Sequence, residues 1–494
     1  MSSLSLALDS ALSGLMAAQR QTAVMSRNVA NANTPGYTTK SADLASRITA
    51  GEGSGVQITG IARTVDASLQ RDSRRESGLT TELQTKASQL TAFTNYLGQP
   101  NDEQSISSQI TKLVNAFQQL GESPEDTTVQ QSVVAAAQGV AQSLNGLSDQ
   151  IQTQRQDADA GIADSVATIN QTLDDVAKLN TQISQRADGS QDTTDLQDQR
   201  DQKLDTLAKQ LGITYFTRDH GEVVVLTSGG TTLVDGSTVH HLAFTPTSQI
   251  TAAQQYTPGG PGLGGVTVDG LDISPGSGYA GSINSGQLAA QFALRDQIFP
   301  QAQAQIDEIA STLADGFQRQ DSTVGPGMTG LFTDNGAAHD RTDPTQVTGL
   351  AGRITVNSLV VPSEGGDLWR LRTGMHAAGP GAPGDVTQAR AFQDLFEQSV
   401  SFNGAAGLST SATIGNYASS FVGFQANQRS ALDDRSQYQA SISSAIDSQR
   451  ANVEGVNVDD EMQKMLLFEQ SYAASAKVIQ AVSDMMDTLM AIKS

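Results

Sequence analysis

Residues 28–37 read Asn-Val-Ala-Asn-Ala-Asn-Thr-Pro-Gly-Tyr, and this decapeptide ends a long amphipathic helix abruptly. Pro35 fixes its own φ and keeps Thr34 out of the helical region, while Gly36 can take the positive φ that the third position of a type II turn needs. The helix therefore has to stop by about Asn33. The three asparagines are poor interior helix residues, and their amides suit hydrogen bonds to local backbone or to a neighbouring chain at a helix terminus.

A long amphipathic helix is predicted at each end of the chain. Before the decapeptide, apolar residues recur at spacings near three and four over about 30 residues, interrupted by Gly14. Near the far end the spacing alternates between three and four, the a and d pattern of a coiled-coil seam, after a cap at Asn457 and an acidic first turn. The predicted N-terminal seam is Leu4, Leu8, Leu15, Met25 and Val29, and the predicted C-terminal seam is Val458, Met465, Phe468, Tyr472, Ile479, Val482, Met486 and Leu489.

Two such helices at opposite ends of one chain indicate assembly rather than catalysis. An isolated pair of long amphipathic helices cannot bury both apolar faces, so we expect the remaining apolar surface to need neighbouring subunits. The residues of the decapeptide that we assign to assembly are Asn28, Ala30, Asn31, Thr34, Pro35, Gly36 and Tyr37.

The composition favours extended helical structure and narrows the range of partners. A length of 494 residues predicts two to four domains, and 5% aromatic residues do not suit one large compact core. The net charge of −22 repels nucleic acid and anionic membranes. Residues 1–75 carry a net charge of +3 and residues 451–494 a net charge of −4, which predicts a weak attraction between the ends; solvated helix faces are the alternative.

Disulfides, thiolate metal sites and cysteine nucleophiles are excluded because the chain has no cysteine. The N-terminus has no Lys or Arg before Arg20, and Asp9 interrupts its apolar stretch, so we expect no cleaved Sec-type leader. We also expect no membrane span. An exported protein of this sequence would therefore use a route that does not read a cleaved leader.

The interior alternates between helical and β-type segments. Helical periodicity dominates from Leu79 to Leu211 and returns after residue 285, and residues 41–70 read as a loop with one hairpin. Ser123 is predicted to cap a very long helix, and Pro300 either kinks a helix or starts a new one. The predicted fold is mainly α with inserted β domains: terminal helices paired as a coiled coil, an elongated helical bundle and outer small β domains. The predicted domains are a terminal coiled-coil assembly domain (1–65 and 454–494), a helical bundle (66–211, 285–320 and 385–453), a β domain (212–284) and a second β-rich region (321–384).

Candidate catalytic and binding motifs are weak. Residues 276–281 match G-x-G-x-x-G, but Pro275 precedes them and no strand-to-helix turn follows, so a Gly-rich linker is the better interpretation. The five histidines lack metal-ligand spacing, and the acidic pairs lie in helical zones where adjacent side chains diverge. The one basic cluster, at Arg71, Arg74 and Arg75, is expected to be solvent-exposed unless it pairs with acids of the bundle or of another subunit. We therefore expect no enzymatic activity, no cofactor and no metal site.

Both ends of the chain resemble the bacterial flagellar axial family of rod, hook and hook-associated proteins. The resemblance lies in the decapeptide, in the segment Gly-Val-Asn-Val-Asp at residues 455–459 and in residues 470–479 of the last helix. The all-helical interior, with Asp-Leu-Gln-Asp-Gln-Arg-Asp at residues 195–201, is similar to the hook-associated members at the hook–filament junction, whereas rod and hook proteins lack such a middle.

The resemblance implies an extracellular, non-enzymatic junction protein that is exported through the flagellar type III apparatus. It implies copies packed in a tubular layer between the hook protein and the second junction protein, hook-associated protein 3. A cytoplasmic export chaperone on the C-terminal helix is implied as well, with no nucleic acid or membrane partner. The alternatives are a hook or distal rod protein of the same family, and a secreted adhesin or effector that carries flagellar export ends. An enzyme that uses the loop at Gly276 is a more distant alternative.

Overall fold

The computed structural model describes residues 2–49, 52–99, 102–188 and 191–493, and over these ranges the protein is mainly α-helical with small inserted sheets, as the sequence predicted. The helices are α1 Ser2–Ala30, α2 Ala67–Leu97, α3 Ile106–Glu122, α4 Thr127–Asp188, α5 Thr194–Gln210, α6 Gly286–Ala293, α7 Phe299–Gln320, α8 Pro344–Val347, α9 Arg370–Thr373, α10 Thr387–Glu397, α11 Ile414–Glu454 and α12 Val458–Lys493. The strands are β1 Lys40–Thr49, β2 Glu52–Arg63, β3 Ile213–Thr217, β4 Val223–Thr227, β5 Thr232–Asp235, β6 Thr238–Val239, β7 Leu242–Ala243, β8 Thr267–Val268, β9 Leu271–Asp272, β10 Phe332–Asp334, β11 Ile354–Val356, β12 Val400–Ser401 and β13 Ser411–Ala412.

Contacts divide the chain into two compact units. Unit 1 comprises Met1–Thr80, Thr168–His241 and Gln439–Ser494, and unit 2 comprises Thr81–Ala167 and Leu242–Tyr438. Three of the four boundaries fall inside α2, α4 and α11, and the fourth falls between β6 and β7. The four domains proposed above follow sequence character rather than contacts, and that division stays a prediction.

In unit 1 the terminal helices α1 and α12 pack on each other. Asn28, near the end of α1, contacts Glu461 in the first turn of α12, while a Cβ atom placed on Gly14 would lie 3.2 Å from the Ser475 Oγ. The two helices therefore run antiparallel. The glycine that the sequence marked as a helix breaker thus sits where the partner helix approaches closely.

The decapeptide forms the predicted turn. Helix α1 ends at Ala30, the Tyr37 N–H donates to the Thr34 carbonyl at 3.2 Å, and Gly36 has a φ of +75°. After this turn, β1 (Lys40–Thr49) and β2 (Glu52–Arg63) pair antiparallel as a long hairpin that packs on α1. The predicted loop is therefore mostly strand, and its expected hairpin is present.

The start of α12 agrees with the prediction from the sequence, whereas the start of α4 does not. The Asn457 Oδ1 accepts from the Asp459 N–H at 3.1 Å, as expected of a cap on α12. The prediction that Ser123 caps the long helix was wrong, because α3 extends to Glu122 and α4 begins only at Thr127. The Asp126 carboxylate accepts from the Thr128 N–H at 2.7 Å, so the later acid provides the cap.

Unit 2 encloses the main apolar core. Helices α3, α4, α7 and α10 contribute buried side chains to one cluster, in which Phe117 packs against Phe317 and Phe392 with ring centroids 5.4 and 5.7 Å away. Near Pro300 the backbone forms a π-helical turn over Leu294–Ile298 and then continues into α7 with the proline in its first turn. The proline thus opens a new helical segment, where its missing N–H costs little.

The predicted β regions contain several small sheets. Strands β3 to β6 form a four-stranded sheet in unit 1, and β7 to β9 form a three-stranded sheet in unit 2. Residues 321–384 contain a pair of three-residue strands, β10 and β11, among turns and short helices. The strand content there is lower than expected, because Asp and Asn side chains accept hydrogen bonds from backbone N–H groups and stabilise turns, as Asp343 does at the start of α8.

Candidate assembly interface

Asn28 joins three separate segments of unit 1 through one buried amide. Its Nδ2 donates to the Lys40 carbonyl and to the Glu461 Oε2, each at 2.8 Å. Its Oδ1 accepts from the Tyr37 hydroxyl at 2.9 Å and from the Lys40 N–H at 3.2 Å. The side chain is fully buried, and both amide atoms have two partners each. The end of α1, the start of the hairpin and the first turn of α12 are therefore held at one point.

Glu461 is the acidic partner in this network, and it is buried. Besides the Asn28 bond, its carboxylate accepts from the Lys464 Nζ at 2.8 Å. A carboxylate in the first turn of α12 also interacts favourably with the positive end of the helix dipole. The sequence identified only that general first-turn role, since no local pattern indicates a partner 433 positions away.

Tyr37 is the aromatic member of the network. The Lys40 Nζ lies 4.1 Å from the centre of its ring, a cation–π contact, and burial raises the pKa of its hydroxyl to about 12 despite the opposing effect of Arg27. The hydroxyl is therefore a neutral hydrogen-bond donor to Asn28 at physiological pH.

Helix α5 presents acids every three or four residues to cations from the N-terminal part of the chain and to Arg450 of α11. These acids follow one face of the helix, so they can pair with several different segments at once. From the N-terminal part of the chain, Arg27 pairs with Asp192 at 3.4 Å, and Lys40 pairs with Asp195 and, at 3.2 Å, with Asp198. Arg63 pairs with Asp198 at 2.8 Å and with Asp201 at 2.7 Å. Arg74 pairs with Asp201 at 3.3 Å and with Asp205 at 2.6 Å, and Arg450 pairs with Asp205 at 3.0 Å. We call Asp195, Asp198, Asp201 and Asp205 the acidic ladder.

Asp201 is the most constrained acid of the ladder. Burial alone would raise the pKa of its carboxyl, but Arg63 and Arg74 together hold that pKa below its ordinary value. Burial, reinforced by the same two guanidiniums, lowers the pKa of neighbouring Arg200 to about 10. The Arg63–Asp201–Arg74 group is thus a buried, ionised cluster that positions the hairpin and α2 against α5.

Two expectations from the charge pattern are refined here. Of the basic cluster, Arg71 and Arg75 are exposed as expected, whereas Arg74 follows the alternative of pairing with bundle acids and is buried against the Tyr215 ring and the acidic ladder. The cations Arg27, Lys40 and Arg63 of the N-terminal segment pair with Asp195 or Asp198 of α5 rather than with the acidic last helix. In both cases the partner is distant in sequence, so the charge pattern could not identify it.

The predicted assembly residues are distributed between buried and exposed positions. Among the N-terminal seam and decapeptide residues, Met25 and Asn28 are buried, Leu4, Leu8, Leu15, Val29, Asn31 and Tyr37 are half-buried, and Ala30, Thr34, Pro35 and Gly36 are exposed. Among the C-terminal seam residues, Val482 is buried, Met465, Phe468 and Ile479 are half-buried, and Val458, Tyr472, Met486 and Leu489 are exposed.

Pairing of α1 with α12 leaves a large apolar surface uncovered. Its exposed members, besides the seam residues just named, are Leu12, Met16, Met462, Leu466, Leu467, Val478, Met485 and Met490. We call this set the uncovered apolar surface. Exposed apolar side chains in this number on one helix pair are typical of a protein interaction site.

Over the described ranges, no group of three or more His, Cys, Asp or Glu side chains is arranged to hold a metal ion. Among the helices that the structure describes, none combines the length and apolar character that a bilayer crossing requires. The G-x-G-x-x-G segment ends four residues before Ser285, the residue that precedes α6, so it does not open that helix.

The hairpin is held against α1 by a close backbone approach at Gly55, which gives a direct test. Gly55 has a φ of +113°, and a Cβ atom there would lie 1.9 Å from the Ser13 Oγ and 3.0 Å from the Ser10 Cα. We expect Gly55→Ala to displace the hairpin and to destabilise its packing by about 2 kcal/mol or more. Gly53→Ala is the matched control, because nothing lies within 4 Å of its added Cβ. Hydrogen exchange of β2 amides measures both; equal exchange in the two variants would contradict the proposed approach.

Three family descriptions match the chain. The flagellar hook-associated protein FlgK helical domain matches residues 90–330. The flagella basal body rod protein matches residues 8–38, and the flagellar basal body rod FlgEFG protein C-terminal region matches residues 448–492. The two ends therefore match descriptions of rod proteins, and the middle matches the hook-associated description.

Relatives span nearly the whole chain. Flagellar hook-associated protein 1 of Salmonella typhimurium is 26% identical over 98% of this chain and 99% of that protein, and that of Escherichia coli is 25% identical over the same shares. The Bacillus subtilis protein of the same name is 23% identical over 99% of this chain and 98% of its own length. The solved structure of the flagellar hook junction protein FlgK from Burkholderia pseudomallei covers 78% of this chain and 100% of that chain with a TM-score of 0.59 and 16% identity, so the two share a fold.

Proposed function

The chain belongs to the flagellar hook-associated protein family, and from this premise we propose that copies of it pack side by side as a tubular layer that connects hook to filament. It is a structural protein of the hook–filament junction and an extracellular part of the flagellum. The observation that carries the proposal is the uncovered apolar surface of α1 and α12. Lateral packing of copies is the arrangement that buries such a surface on every subunit at once.

The network around Asn28 supports this role by giving the two terminal helices one defined arrangement. An assembling helix pair needs a fixed register, because a shift of one residue would redirect the uncovered side chains. The buried Asn28–Glu461 bond and the Gly14–Ser475 approach fix that register at two points. In our proposal the acidic ladder then holds the hairpin in place beside the pair.

The partners that we propose are the hook protein on one side of the layer and hook-associated protein 3 on the other. We propose export through the flagellar type III apparatus without a cleaved leader, with a cytoplasmic chaperone on α12 beforehand. The exposed apolar residues of α12, such as Leu466 and Met490, support a chaperone, since they would otherwise favour premature association in the cytoplasm. We further propose that the protein acts without catalysis, cofactor or metal.

The two alternatives are less well supported. A hook or distal rod protein shares the terminal segments but not the helical middle, and the hook-associated description covers residues 90–330. An adhesin or effector with flagellar export ends does not account for relatives that match over 98% of the chain. Mixing the purified protein with hooks distinguishes the first alternative from a junction protein. A hook or rod protein would extend the hooks indefinitely, whereas a junction protein adds a limited layer.

Removal of the protein from its cell tests the function directly. We expect a strain that lacks it to carry hooks without filaments and to release filament protein into the medium, because the filament has no adaptor to attach to. Electron microscopy of the cells and gel analysis of the medium measure both effects. Normal filaments in that strain would disprove the junction role.

A point substitution tests the uncovered apolar surface specifically. Leu466 and Leu271 are both exposed leucines, the first on α12 and the second on β9. We expect Leu466→Asp to reduce incorporation into junctions at least about tenfold, since a charge buried in a subunit interface is strongly unfavourable, while Leu271→Asp assembles normally. Quantitative immunoblots of purified hook preparations measure incorporation. Equal incorporation of the two variants would refute a role for this surface.

A further inference from the structure

The sulfur atoms of this chain are concentrated in its terminal helices. The sequence has ten methionines and no cysteine. Five methionines of α1 and α12 are solvent-exposed, and we call them the surface methionines: Met16 at 58%, Met462 at 43%, Met485 at 50%, Met486 at 38% and Met490 at 72%. In contrast, Met25 at 4% and Met375 at 0% are covered by the protein.

The surface methionines lie among the other members of the uncovered apolar surface. Met462 precedes Leu466 by one helical turn, and Met486 precedes Met490 by the same distance, so each pair shares a face of α12. Leu489 is exposed between the last two sulfurs. Any partner that covers this surface therefore has to pack against thioether groups.

From this placement we propose that the surface methionines are a site of reversible oxidation that controls assembly. The inference rests on the proposed function, because it is assembly that buries these side chains. A hydroperoxide is the oxidant: the thioether sulfur attacks the terminal peroxide oxygen, an S–O bond forms and the O–O bond breaks. The remaining alkoxide or hydroxide leaves and takes up the proton of the transferred OH group, which gives an alcohol or water and the sulfoxide. The sulfur is oxidised by two electrons and the peroxide is reduced by two.

The sulfoxide changes the physical character of the surface. A flexible apolar side chain becomes a polar, chiral group with a strong hydrogen-bond acceptor. Burial of that acceptor against a neighbour's apolar side chains leaves it without a donor, which is unfavourable. Oxidised subunits therefore assemble poorly, while assembled subunits are protected because their sulfurs are covered. Since these five methionines are exposed in the single chain, we expect oxidation to leave its fold intact.

The test begins with brief treatment of the purified full-length protein with hydrogen peroxide. Peptide mass spectrometry should find sulfoxide at the surface methionines and at Met328, which is 45% exposed in unit 2, before Met25 and Met375 react. Treated and untreated protein are then pelleted with purified hooks from a strain that lacks this chain. We expect oxidation to reduce co-pelleting at least about tenfold, and we expect methionine sulfoxide reductases of both stereospecificities to restore it.

Two variants assign the effect to particular sulfurs. The fivefold variant M16L, M462L, M485L, M486L and M490L keeps the surface apolar, so it should co-pellet with hooks before and after peroxide. Met328→Leu removes an exposed sulfur outside the terminal helices and should lose binding after peroxide as the unchanged protein does.

Failure of the oxidation inference can be distinguished from failure of the proposed function. Untreated protein that does not co-pellet with hooks counts against the proposed function and against this inference with it. Full co-pelleting of protein whose five surface methionines carry sulfoxide overturns the oxidation inference alone and leaves the junction role intact. Loss of far-ultraviolet helical circular dichroism on oxidation also overturns it, because the effect would then be unfolding rather than a change of surface.

Discussion

Asn28→Asp is expected to loosen the joint between the terminal helices by about 3 kcal/mol. The substitution keeps the shape of the side chain but replaces the Nδ2 donor by an oxygen that faces the Glu461 carboxylate across a 2.8 Å contact. It also leaves the Lys40 carbonyl without its amide donor. Two carboxylates in one buried site repel each other, so the first turn of α12 should separate from α1. Native-state hydrogen exchange of the α1 and α12 amides measures this local opening, and incorporation into junctions should fall with it.

Asn31→Asp is the matched control for that experiment. The Asn31 Nδ2 donates only locally, to the Arg27 carbonyl at 3.0 Å, and the side chain is half-buried. We expect a cost below about 1 kcal/mol for the same chemical change. The double variant Asn28→Asp with Glu461→Gln should recover part of the loss, since the glutamine amide can donate to the new carboxylate. Equal protection in the Asn28 and Asn31 variants, or no recovery in the double variant, would show that the buried bond does not hold the helices.

Asp201→Asn is expected to cost about 3 to 5 kcal/mol in the stability of unit 1 at neutral pH. The Asp201 carboxylate lies 2.7 Å from the Arg63 Nη1 and 3.3 Å from the Arg74 Nη2, and all three side chains are largely buried. Its neutral replacement leaves two guanidiniums short of negative charge where water cannot compensate. Chemical denaturation, with hydrogen exchange to locate the change in α5 and the hairpin, measures the effect.

The pH dependence of this difference is a second readout. The pKa of Asp201 is lowered in the folded state, so its contribution to stability is complete above the unfolded pKa of about 3.9 and is lost as pH falls through the lower folded pKa. The free-energy gap between the unchanged protein and Asp201→Asn should therefore shrink below about pH 4. Asp175→Asn is the matched control, because its ion pair with Lys203 is partly exposed and should contribute less than about 1 kcal/mol. A gap that stays constant down to low pH would argue against a charge effect at Asp201.

Local features of the fold were well predicted from the sequence. The Pro-Gly turn after α1, the cap at Asn457 and the mainly helical class with inserted strands all depend on interactions within a few residues. The start of α4 was mispredicted, although Ser123 and Asp126 are both good cap residues. Which of the two caps the helix depends on how far α3 extends, and that is decided by packing rather than by propensity.

The residues of the candidate site were likewise predictable from the sequence only in part. Of the decapeptide, the sequence identified the turn residues and the suitability of its asparagines for hydrogen bonding at a terminus, but it could not show that Asn28 is fully buried while Asn31 is not. Asp195, Asp198 and Asp201 were noted in the sequence only as part of a motif that resembles the family, and nothing in the sequence indicated the segments that face them. Their cationic partners come from α1, the hairpin and α2, and no spacing rule connects such distant positions.

By itself, then, the sequence determined that α1 stops before the Pro-Gly turn and that α12 starts after Asn457, that both termini are amphipathic, and that the ends match a family of assembling proteins. Only the tertiary structure decided which side chains of those helices are covered, which remain exposed to neighbours, and that a single asparagine joins the two ends of the chain. The physical reason is that helix periodicity arises from contacts three and four residues apart, whereas burial and ion pairing depend on which faces meet in space.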